Sequence, residues 1–122
     1  PTAIGRPTRS GSQEPANSKM HWQQTMQGHA AANMVALAAS NRIGIETGKT
    51  DETQFYGGSF IADATGSKTV VLDEVTPAVA VHTFDLDQIA AFRKYWGIFR
   101  TRRRDLYRPI FEQAEPAYLS SR

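Results

Sequence analysis

The clearest pattern along the chain lies between His21 and Gly44, where helical spacing gives way to an unbroken apolar run. Apolar residues recur every four positions, as they do on one face of a helix: Trp22, Met26, Ala30 and Met34. Val35 to Ala39 then follows with no polar residue. Because a strand that is apolar on both sides is usually covered on both faces, the stretch predicts an amphipathic helix leading directly into a buried strand.

The predicted helix has a clear start and one weak point. Asn17 or Ser18 can cap its first turn, because a short polar side chain there accepts a backbone hydrogen bond. Gly28 lies in its interior, where glycine costs about 1 kcal/mol relative to alanine. Tight packing against a neighbouring backbone would explain that glycine, so we expect a close contact at Gly28.

The pattern after Gly44 predicts strands and then helices. Residues 45–53 are polar and predict a loop, whereas residues 55–61, 69–72 and 78–84 predict three strands of an antiparallel meander. The paired Gly57 and Gly58 indicate a bulge or a close backbone approach. Asp85 and Gln88 have the spacing of a capping box at the start of a further helix. Gly97 suits the end of that helix, and a short helix is predicted over 105–111.

Composition narrows the class of protein. The 122 residues are 40% hydrophobic and 21% charged, enough for one small domain. The absence of cysteine excludes disulfides, thiolate metal sites and a cysteine nucleophile within this chain. We find neither a signal-peptide pattern nor an apolar run near the ~18–20 residues that cross a membrane, so a cytoplasmic location is expected.

The first twenty residues suggest a strand end followed by a long loop. The chain opens with PTAIG and no methionine, which resembles the end of a strand and predicts a fragment that lacks an upstream strand. Residues 5–18 are rich in Gly, Pro and Ser and too poor in apolar residues to order themselves. Such a loop is either a binding or lid loop or an exposed insertion, and both possibilities stay open.

Polar residues at the end of the predicted buried strand are candidates for supporting a site. Ligands bind at the carboxyl ends of strands in open α/β sheets, and Asn41 and Arg42 lie there. We expect Asn41 to bond a loop backbone and Arg42 to pair with a carboxylate, both as structural supports beneath a site.

The three histidines do not have the spacing of metal ligands. His21 and His29 are two helical turns apart and cannot chelate one ion, and His82 is expected to pack in a strand. We therefore predict no metal site and no cofactor.

A basic block ends the predicted helical region. Residues 93–108 hold seven Lys or Arg against one Asp and are interspersed with aromatic residues. This combination can bind nucleic acid, although arginines in such blocks often pair with carboxylates on packed neighbours. A basic nucleic-acid-binding domain is therefore one alternative function, and a subunit-interaction module is another.

Four segments in the same order resemble the second half of the carbon–nitrogen hydrolase (nitrilase) superfamily: PTAIG, HWQQTMQGHAAANMVALAASNRIG, FYGGSFIADATG and WGIFRTRRRDLY. The resemblance implies an α/β (α+β) fold, the second half of an α-β-β-α four-layer sandwich. The whole chain, 1–122, would be the C-terminal portion of one domain. Its parts would be a strand end and pocket loop (1–20), a helix and buried strand (21–44), the meander (54–84), helices (85–112) and a tail (113–122).

The same resemblance implies an activity whose catalytic groups lie elsewhere. It implies hydrolysis of the carbamoyl C–N bond of N-carbamoylputrescine to putrescine, CO2 and ammonia, as in polyamine biosynthesis. The superfamily uses a Glu base, a Lys that stabilises the oxyanion and a Cys nucleophile. All three precede the PTAIG segment in the superfamily, so we expect no catalytic residue here and no activity of this chain alone.

What the resemblance carries over to this chain is a wall of the substrate pocket. Thr2, Ala3 and Ile4 correspond to the loop beside the nucleophile's strand. Glu14, in a Gly-Ser-Gln-Glu-Pro run shifted along the loop, is the candidate partner of the substrate's distal ammonium. Thr101 and Arg104 depart from the superfamily's pattern, which bears on the substrate. The expected partners are a small-molecule substrate and further copies of the chain in a homo-oligomer, with neither nucleic acid nor membrane.

Overall fold

The computed structural model describes residues 2–8 and 17–112, the last two by their backbone alone. The elements along these residues are β1 (Gly5–Pro7), α1 (Ser18–Asn33), β2 (Leu37–Ala39), β3 (Ile43–Thr47), β4 (Glu52–Tyr56), β5 (Phe60–Ala62), β6 (Lys68–Val71), α2 (Leu86–Trp96) and α3 (Arg104–Glu112). The strands form two antiparallel sheets in the orders β1-β4-β3 and β2-β5-β6. The predicted α/β class is thus confirmed at the level of a mixed α/β fold.

Helix α1 begins and packs as its sequence predicts. Asn17 is the N-cap, and its side-chain oxygen accepts a 2.9 Å hydrogen bond from the Met20 amide. Trp22 and Ala30 are buried on one face, and the Trp22 ring meets Phe60 of β5 edge-to-face at 5.7 Å between ring centroids. The core of the described residues therefore lies between α1 and the sheet that contains β5.

The strand that follows α1 is not covered on both faces, so this prediction is wrong. Strand β2 begins at Leu37 and pairs with β5 at one edge of its sheet. Leu37 and Ala39 pack against the core beneath α1, whereas Ala38 on the opposite face is exposed. Helix α1 covers one face, and among the described residues the other remains open.

The close contact expected at Gly28 lies at Gly66 instead. Gly28 is exposed, and a Cβ built on it meets nothing within 4 Å. A Cβ on Gly66, in the turn between β5 and β6, would lie 2.6 Å from the Gln27 carbonyl oxygen and 3.1 Å from the Ala31 Cβ. The small residues of α1 therefore allow a turn of the sheet to approach the helix, but the glycine that this approach requires belongs to the turn.

The predicted three-strand meander is also wrong. Residues 55–61 do not form one strand, because the chain leaves the first sheet after Tyr56 and enters the second at Phe60. Strands β5 and β6 pair as predicted, with a register shift between Ile61 and Ala62. Residues 78–84 form no strand, since no described strand lies alongside to share hydrogen bonds, and Val79 is 88% exposed.

The polar segment predicted as a loop contains much of a hairpin. Strands β3 and β4 pair from Ile43 with Tyr56 to Thr47 with Glu52, which leaves a turn at 48–51. Strand β1, inside the segment predicted as a loop over 5–18, pairs with the far edge of β4. Pattern reasoning missed β1 and β3 because these strands are short and largely exposed and so lack an apolar face, whereas β4 is covered and ends in the buried Phe55 and Tyr56.

The two later helices agree with the sequence. Asp85 caps α2, with its carboxylate accepting bonds from the Asp87 and Gln88 amides at 2.9 and 3.0 Å. Gly97 ends α2 in the left-handed conformation with φ of 64°, as a C′ glycine does. Helix α3 begins at Arg104, one residue before the predicted start. In the described part of the chain, no helix combines the length and the apolar character that crossing a bilayer demands.

Candidate functional site

Three separate segments meet where β2 ends. Thr2 runs parallel to Asn41: the Thr2 amide donates to the Ser40 carbonyl at 2.7 Å, and the Arg42 amide donates to the Thr2 carbonyl at 3.2 Å. The third segment is the turn between β4 and β5, where the Gly57 amide donates to the Arg42 carbonyl at 2.9 Å. We call residues 2–4, Asn41 and residues 57–59 the strand-end junction. It lies just beyond the carboxyl end of β2.

The side chain of Asn41 is the centre of the strand-end junction. Its Nδ2 donates to the carbonyls of Ile4 and Gly57, both at 3.0 Å. Its Oδ1 accepts from the Ile4 amide at 2.9 Å and lies 3.0 Å from the Thr2 hydroxyl, which is equally close to the Ser40 carbonyl. The prediction that Asn41 bonds a loop backbone is therefore confirmed.

Two glycines let the chain turn at this point. Gly57 and Gly58 have φ values of 51° and 64°, in the left-handed region that side chains disfavour. A Cβ on Gly57 would lie 2.6 Å from Ile43 Cγ2 and 2.9 Å from the Asp73 carbonyl oxygen. The paired glycines thus mark a close backbone approach, as their sequence indicates, and they carry the chain from one sheet to the other.

Helix α1 supports the same turn from the opposite side. The Gln23 side chain is 8% exposed, donates from Nε2 to the Gly58 carbonyl at 2.8 Å and accepts from Lys68 Nζ at 2.7 Å. Lys19, one turn earlier, forms an ion pair with Glu74. Sequence reasoning missed Gln23, although a glutamine beside Trp22 on the buried side of an amphipathic helix is a signal that could have found it.

A cleft of about 340 Å³ opens beside the junction. Its lining includes Asn41, Ser59 and Asp73. Hydrogen bonds from the backbone amides of Thr76 and Val75 hold the pKa of the Asp73 carboxyl below its usual range. The Asp73 carboxylate is therefore ionised at neutral pH, but it is engaged by its own turn, and Arg42 places a positive charge in the same lining.

The predicted site residues fall partly within the junction. Thr2 and Ile4 belong to it through Asn41, and the Ala3 side chain is exposed. Glu14 lies outside the described residues. Arg42 pairs with the Glu46 carboxylate, as predicted, and its guanidinium stacks over the Phe55 ring at 4.4 Å from the centroid.

A larger cleft, of about 460 Å³, lies away from the junction between the β5–β6 turn and the start of α2. Its two aspartates are Asp63 and Asp85, and both already accept hydrogen bonds from nearby backbone amides. Bonding from the Thr65 hydroxyl, chiefly, lowers the pKa of Asp63. The carboxylates of this cleft organise their own turn and cap, and its lining includes neither Asn41 nor any of residues 2–4 and 57–59, so we place the candidate site at the junction.

The histidines and the basic block are explained by local contacts. His21 and His29 are exposed on α1, and the His82 ring contacts Phe84 edge-on at 4.6 Å without forming part of a strand. Within the described ranges, no group of three or more acidic, histidine or cysteine side chains could hold a metal ion. In the basic block, Arg103 pairs with Asp105 at 2.6 Å, which lowers the pKa of that carboxyl.

Arg93 joins the basic block to helix α1. Its guanidinium donates to the carbonyl of Asn33 at 2.6 Å and reaches that of Met34 at 3.4 Å, at the carboxyl end of α1. It also lies over the Phe99 ring at 4.7 Å, with Arg102 over the same ring at 5.0 Å. A cation at this helix end satisfies unpaired carbonyls and complements the helix dipole. Arg93 therefore has a structural role that needs no nucleic acid.

The junction offers support and shape but no reacting groups. The chain contains no cysteine, and the polar side chains at the junction bond backbone groups, apart from the contact of the Thr2 hydroxyl with the Asn41 amide oxygen, which is too weak a base to activate a nucleophile. What the arrangement can do is hold residues 2–4 and the glycine turn in fixed positions beside the cleft. The chemistry that it serves is indicated by proteins that resemble this chain.

The model of the carbon–nitrogen hydrolase family matches residues 6–94, most of the chain. The chain therefore belongs to the carbon–nitrogen hydrolase family. It is 48% identical over 115 residues to an N-carbamoylputrescine amidase of Arabidopsis thaliana and 46% identical over 114 residues to that of Oryza sativa subsp. japonica. It is 44% identical over 110 residues to a citrullinase of Francisella tularensis.

These matches cover most of this chain and a minor part of its relatives. Each of the three alignments takes in 90% of this chain but 37% of the relative. Among solved structures, a carbon–nitrogen hydrolase from Helicobacter pylori G27 superposes with a TM-score of 0.75 at 26% identity, over 91% of this chain and 39% of the other. The fold of the described residues is thus that of part of a carbon–nitrogen hydrolase.

Proposed function

We propose that this chain is the C-terminal part of an amidase that hydrolyses N-carbamoylputrescine. One water converts the carbamoyl amine to putrescine, CO2 and ammonia, a step of polyamine biosynthesis. The observation that carries the proposal is the 46–48% identity to N-carbamoylputrescine amidases over nine tenths of the chain. In this proposal the chain forms the second half of an α-β-β-α four-layer sandwich, and the complete enzyme is cytoplasmic.

The catalytic groups would lie in an upstream part. A Glu would take the proton of a Cys thiol, the thiolate would attack the carbamoyl carbon, and a Lys would stabilise the resulting oxyanion. This chain has no cysteine to serve as nucleophile. Its contribution would be the pocket wall at the strand-end junction, with residues 2–4 held against Asn41 beside the nucleophile's strand.

The experiment compares the complete reading frame with the 122-residue chain. We expect the complete protein to release putrescine and ammonia from N-carbamoylputrescine and the chain alone to release neither. Because the chain lacks cysteine, inactivation of the complete protein by a thiol-alkylating reagent would show that an essential thiol lies outside it, as the proposal requires. A complete protein without amidase activity, or one that is insensitive to alkylation, would contradict the proposal.

Glu14 is proposed to bind the distal ammonium of the substrate. Glu14→Gln keeps the shape of the side chain and removes its charge, which would weaken a charge-assisted contact worth about 1.5–3 kcal/mol. We expect KM for N-carbamoylputrescine to rise about tenfold or more with a smaller change in kcat. Glu46→Gln, on strand β3 and paired with Arg42, is the matched control. An unchanged KM in Glu14→Gln would remove Glu14 from the site.

Citrulline is a second candidate substrate, favoured by the 44% identity to a citrullinase. It carries the same carbamoyl group but ends in an α-amino acid, so its distal carboxylate would be repelled by a glutamate placed for an ammonium. Comparing kcat/KM for the two compounds decides between them. A preference for citrulline would retain the amidase chemistry and overturn the substrate assignment.

The complete enzyme is proposed to be a homo-oligomer. The apolar residues of α3 are exposed, among them Leu106 and Ile110, and an exposed apolar helix face is a common mark of an interface. Light scattering on the complete enzyme tests this, and a monodisperse monomer would contradict it.

A further inference from the structure

We propose that Asn41 is a positioning residue that holds residues 2–4 in the shape that the substrate pocket requires. This inference rests on the proposed function, because it assigns Asn41 a role in the selectivity of that pocket. Asn41 does not touch substrate in this scheme. It acts through the backbone of Ile4 and through Thr2.

The Asn41 side chain uses both of its donors and at least one acceptor position. A primary amide offers two donor hydrogens and two acceptor lone pairs. Both donors go to carbonyls at 3.0 Å, those of Ile4 and Gly57, and Oδ1 accepts from the Ile4 amide at 2.9 Å. The Thr2 hydroxyl lies 3.0 Å from both Oδ1 and the Ser40 carbonyl, which share its single hydrogen. An amide of this length meets two carbonyls and a backbone amide at once, so Asp or Ser in its place leaves at least one carbonyl unpaired.

The partners of Asn41 lie outside the regular strands. Ile4 and Gly57 belong to no strand, and Ile4 presents both its amide and its carbonyl to the same side chain. Asn41 therefore takes the place of a neighbouring strand for Ile4. Thr2 is held by its backbone bridge and Gly5 by its pairing in β1, so Ile4 between them is the residue whose backbone geometry depends on this side chain.

Asn41 is itself held in place by the turn between β4 and β5. Its amide donates to the Ser59 hydroxyl at 2.9 Å, and that hydroxyl lies 3.3 Å from the Asn41 carbonyl. Gln23 of α1 holds the adjoining Gly58 carbonyl. Because the backbone of Asn41 is fixed by these bonds, its side chain can hold residues 2–4 in a defined position, as the wall of a binding pocket requires.

The decisive measurement is a selectivity ratio in the complete protein. The ratio of kcat/KM for N-carbamoylputrescine to that for its homologue one methylene longer does not depend on the fraction of folded enzyme. A purely structural role therefore leaves this ratio unchanged. We expect Asn41→Asp and Asn41→Ala each to change it at least fivefold. Asn33→Asp, the same chemical change on the exposed end of α1, should leave it unaltered. An unchanged ratio in both Asn41 variants would overturn the proposal.

Hydrogen exchange tests the same inference without activity. In Asn41→Ala the Ile4 amide loses its acceptor, so we expect its exchange to accelerate at least tenfold while the amides of β5 keep their protection. An unaltered rate at Ile4, or an equal acceleration in β5, would overturn the proposal. If Asn41→Ala does not fold, Ser59→Ala, which frees the Asn41 backbone, is measured in the same way.

The two proposals fail separately. A wild-type protein that cleaves no carbamoyl amine removes the proposed function, and the exchange rate of the Ile4 amide then decides alone whether Asn41 positions the loop. An active wild type with an unchanged selectivity ratio in the Asn41 variants removes the positioning role and leaves the function intact.

Discussion

Replacing Gly66 by alanine should destabilise the chain, whereas the same replacement at Gly28 should stabilise it. Gly66 has φ of 85° and faces α1, where an added Cβ would lie 2.6 Å from the Gln27 carbonyl oxygen. Gly28 lies in the interior of α1 with open space where its Cβ would be. One added methyl group thus meets opposite environments in the two residues.

The magnitudes follow from these environments. At Gly66, holding alanine in the left-handed region costs about 1–2 kcal/mol, and forcing a methyl against the helix costs about 1–3 kcal/mol. The lower entropy of the unfolded alanine variant returns about 0.4–1 kcal/mol, which leaves a net loss of about 1–5 kcal/mol. At Gly28, helix propensity predicts a gain of about 1 kcal/mol. The two variants should therefore differ by about 2–6 kcal/mol in the free energy of unfolding.

Urea unfolding of both variants beside the parent protein measures this difference. The fluorescence of Trp22, which packs on Phe60 in the core, reports the transition. A stability of Gly66→Ala within 0.5 kcal/mol of the parent would refute the tight contact between the turn and the helix. A loss of about 1 kcal/mol or more in Gly28→Ala would show that a neighbour covers that face of α1, as the sequence first suggested.

Two further predictions concern a helix end and a turn. Arg93→Ala should lower the free energy of unfolding by about 1–2 kcal/mol, because it removes the donor to the Asn33 carbonyl and the stack on Phe99. Arg93→Lys should recover only part of that lost stability. Equal stability of the alanine variant and the parent protein in urea unfolding would contradict this prediction. The pKa of Asp63 is lowered, chiefly by the Thr65 hydroxyl, so its contribution to stability is present above the unfolded pKa of about 4 and is lost as pH falls through the lower folded pKa. Asp63→Asn keeps the acceptor but cannot titrate, so its stability should fall less than the parent's between pH 5 and 2, and parallel curves would refute the assignment.

The features that the sequence predicts well are those whose partners are close in the chain. The N-caps Asn17 and Asp85 bond amides two or three residues ahead, and Gly97 closes a helix that ends at the preceding residue. A capping side chain and its partner share one turn of helix, so residue type and spacing specify the contact almost completely. The boundaries of α2 and the cap of α1 could therefore be predicted before any tertiary contact was known.

The features that the sequence predicts poorly depend on contacts between residues that are far apart in the chain. Asn41 was singled out as a support, but its partners Ile4 and Gly57 lie 37 and 16 residues away, and no local pattern names them. The paired glycines indicated a close approach, but not that the chain changes sheet there. Gln23 escaped notice because a polar residue on a helix is normally assigned to its exposed face, and only the position of Gly58 shows that this one is buried.

Two of the wrong predictions share one physical cause. Val35 to Ala39 are predicted as a strand covered on both faces and residues 78–84 as a strand of the meander, and both segments are partly exposed in the described residues. They face each other across a cleft of about 370 Å³ whose lining includes Leu37, Ala38 and Val81. An apolar pattern indicates that a segment is buried in the folded protein, but the residues that cover it need not belong to nearby segments of the chain. Under the proposed function, the upstream part of the hydrolase would supply the missing neighbours. The sequence of each segment would then indicate correctly the burial that it has in the complete enzyme.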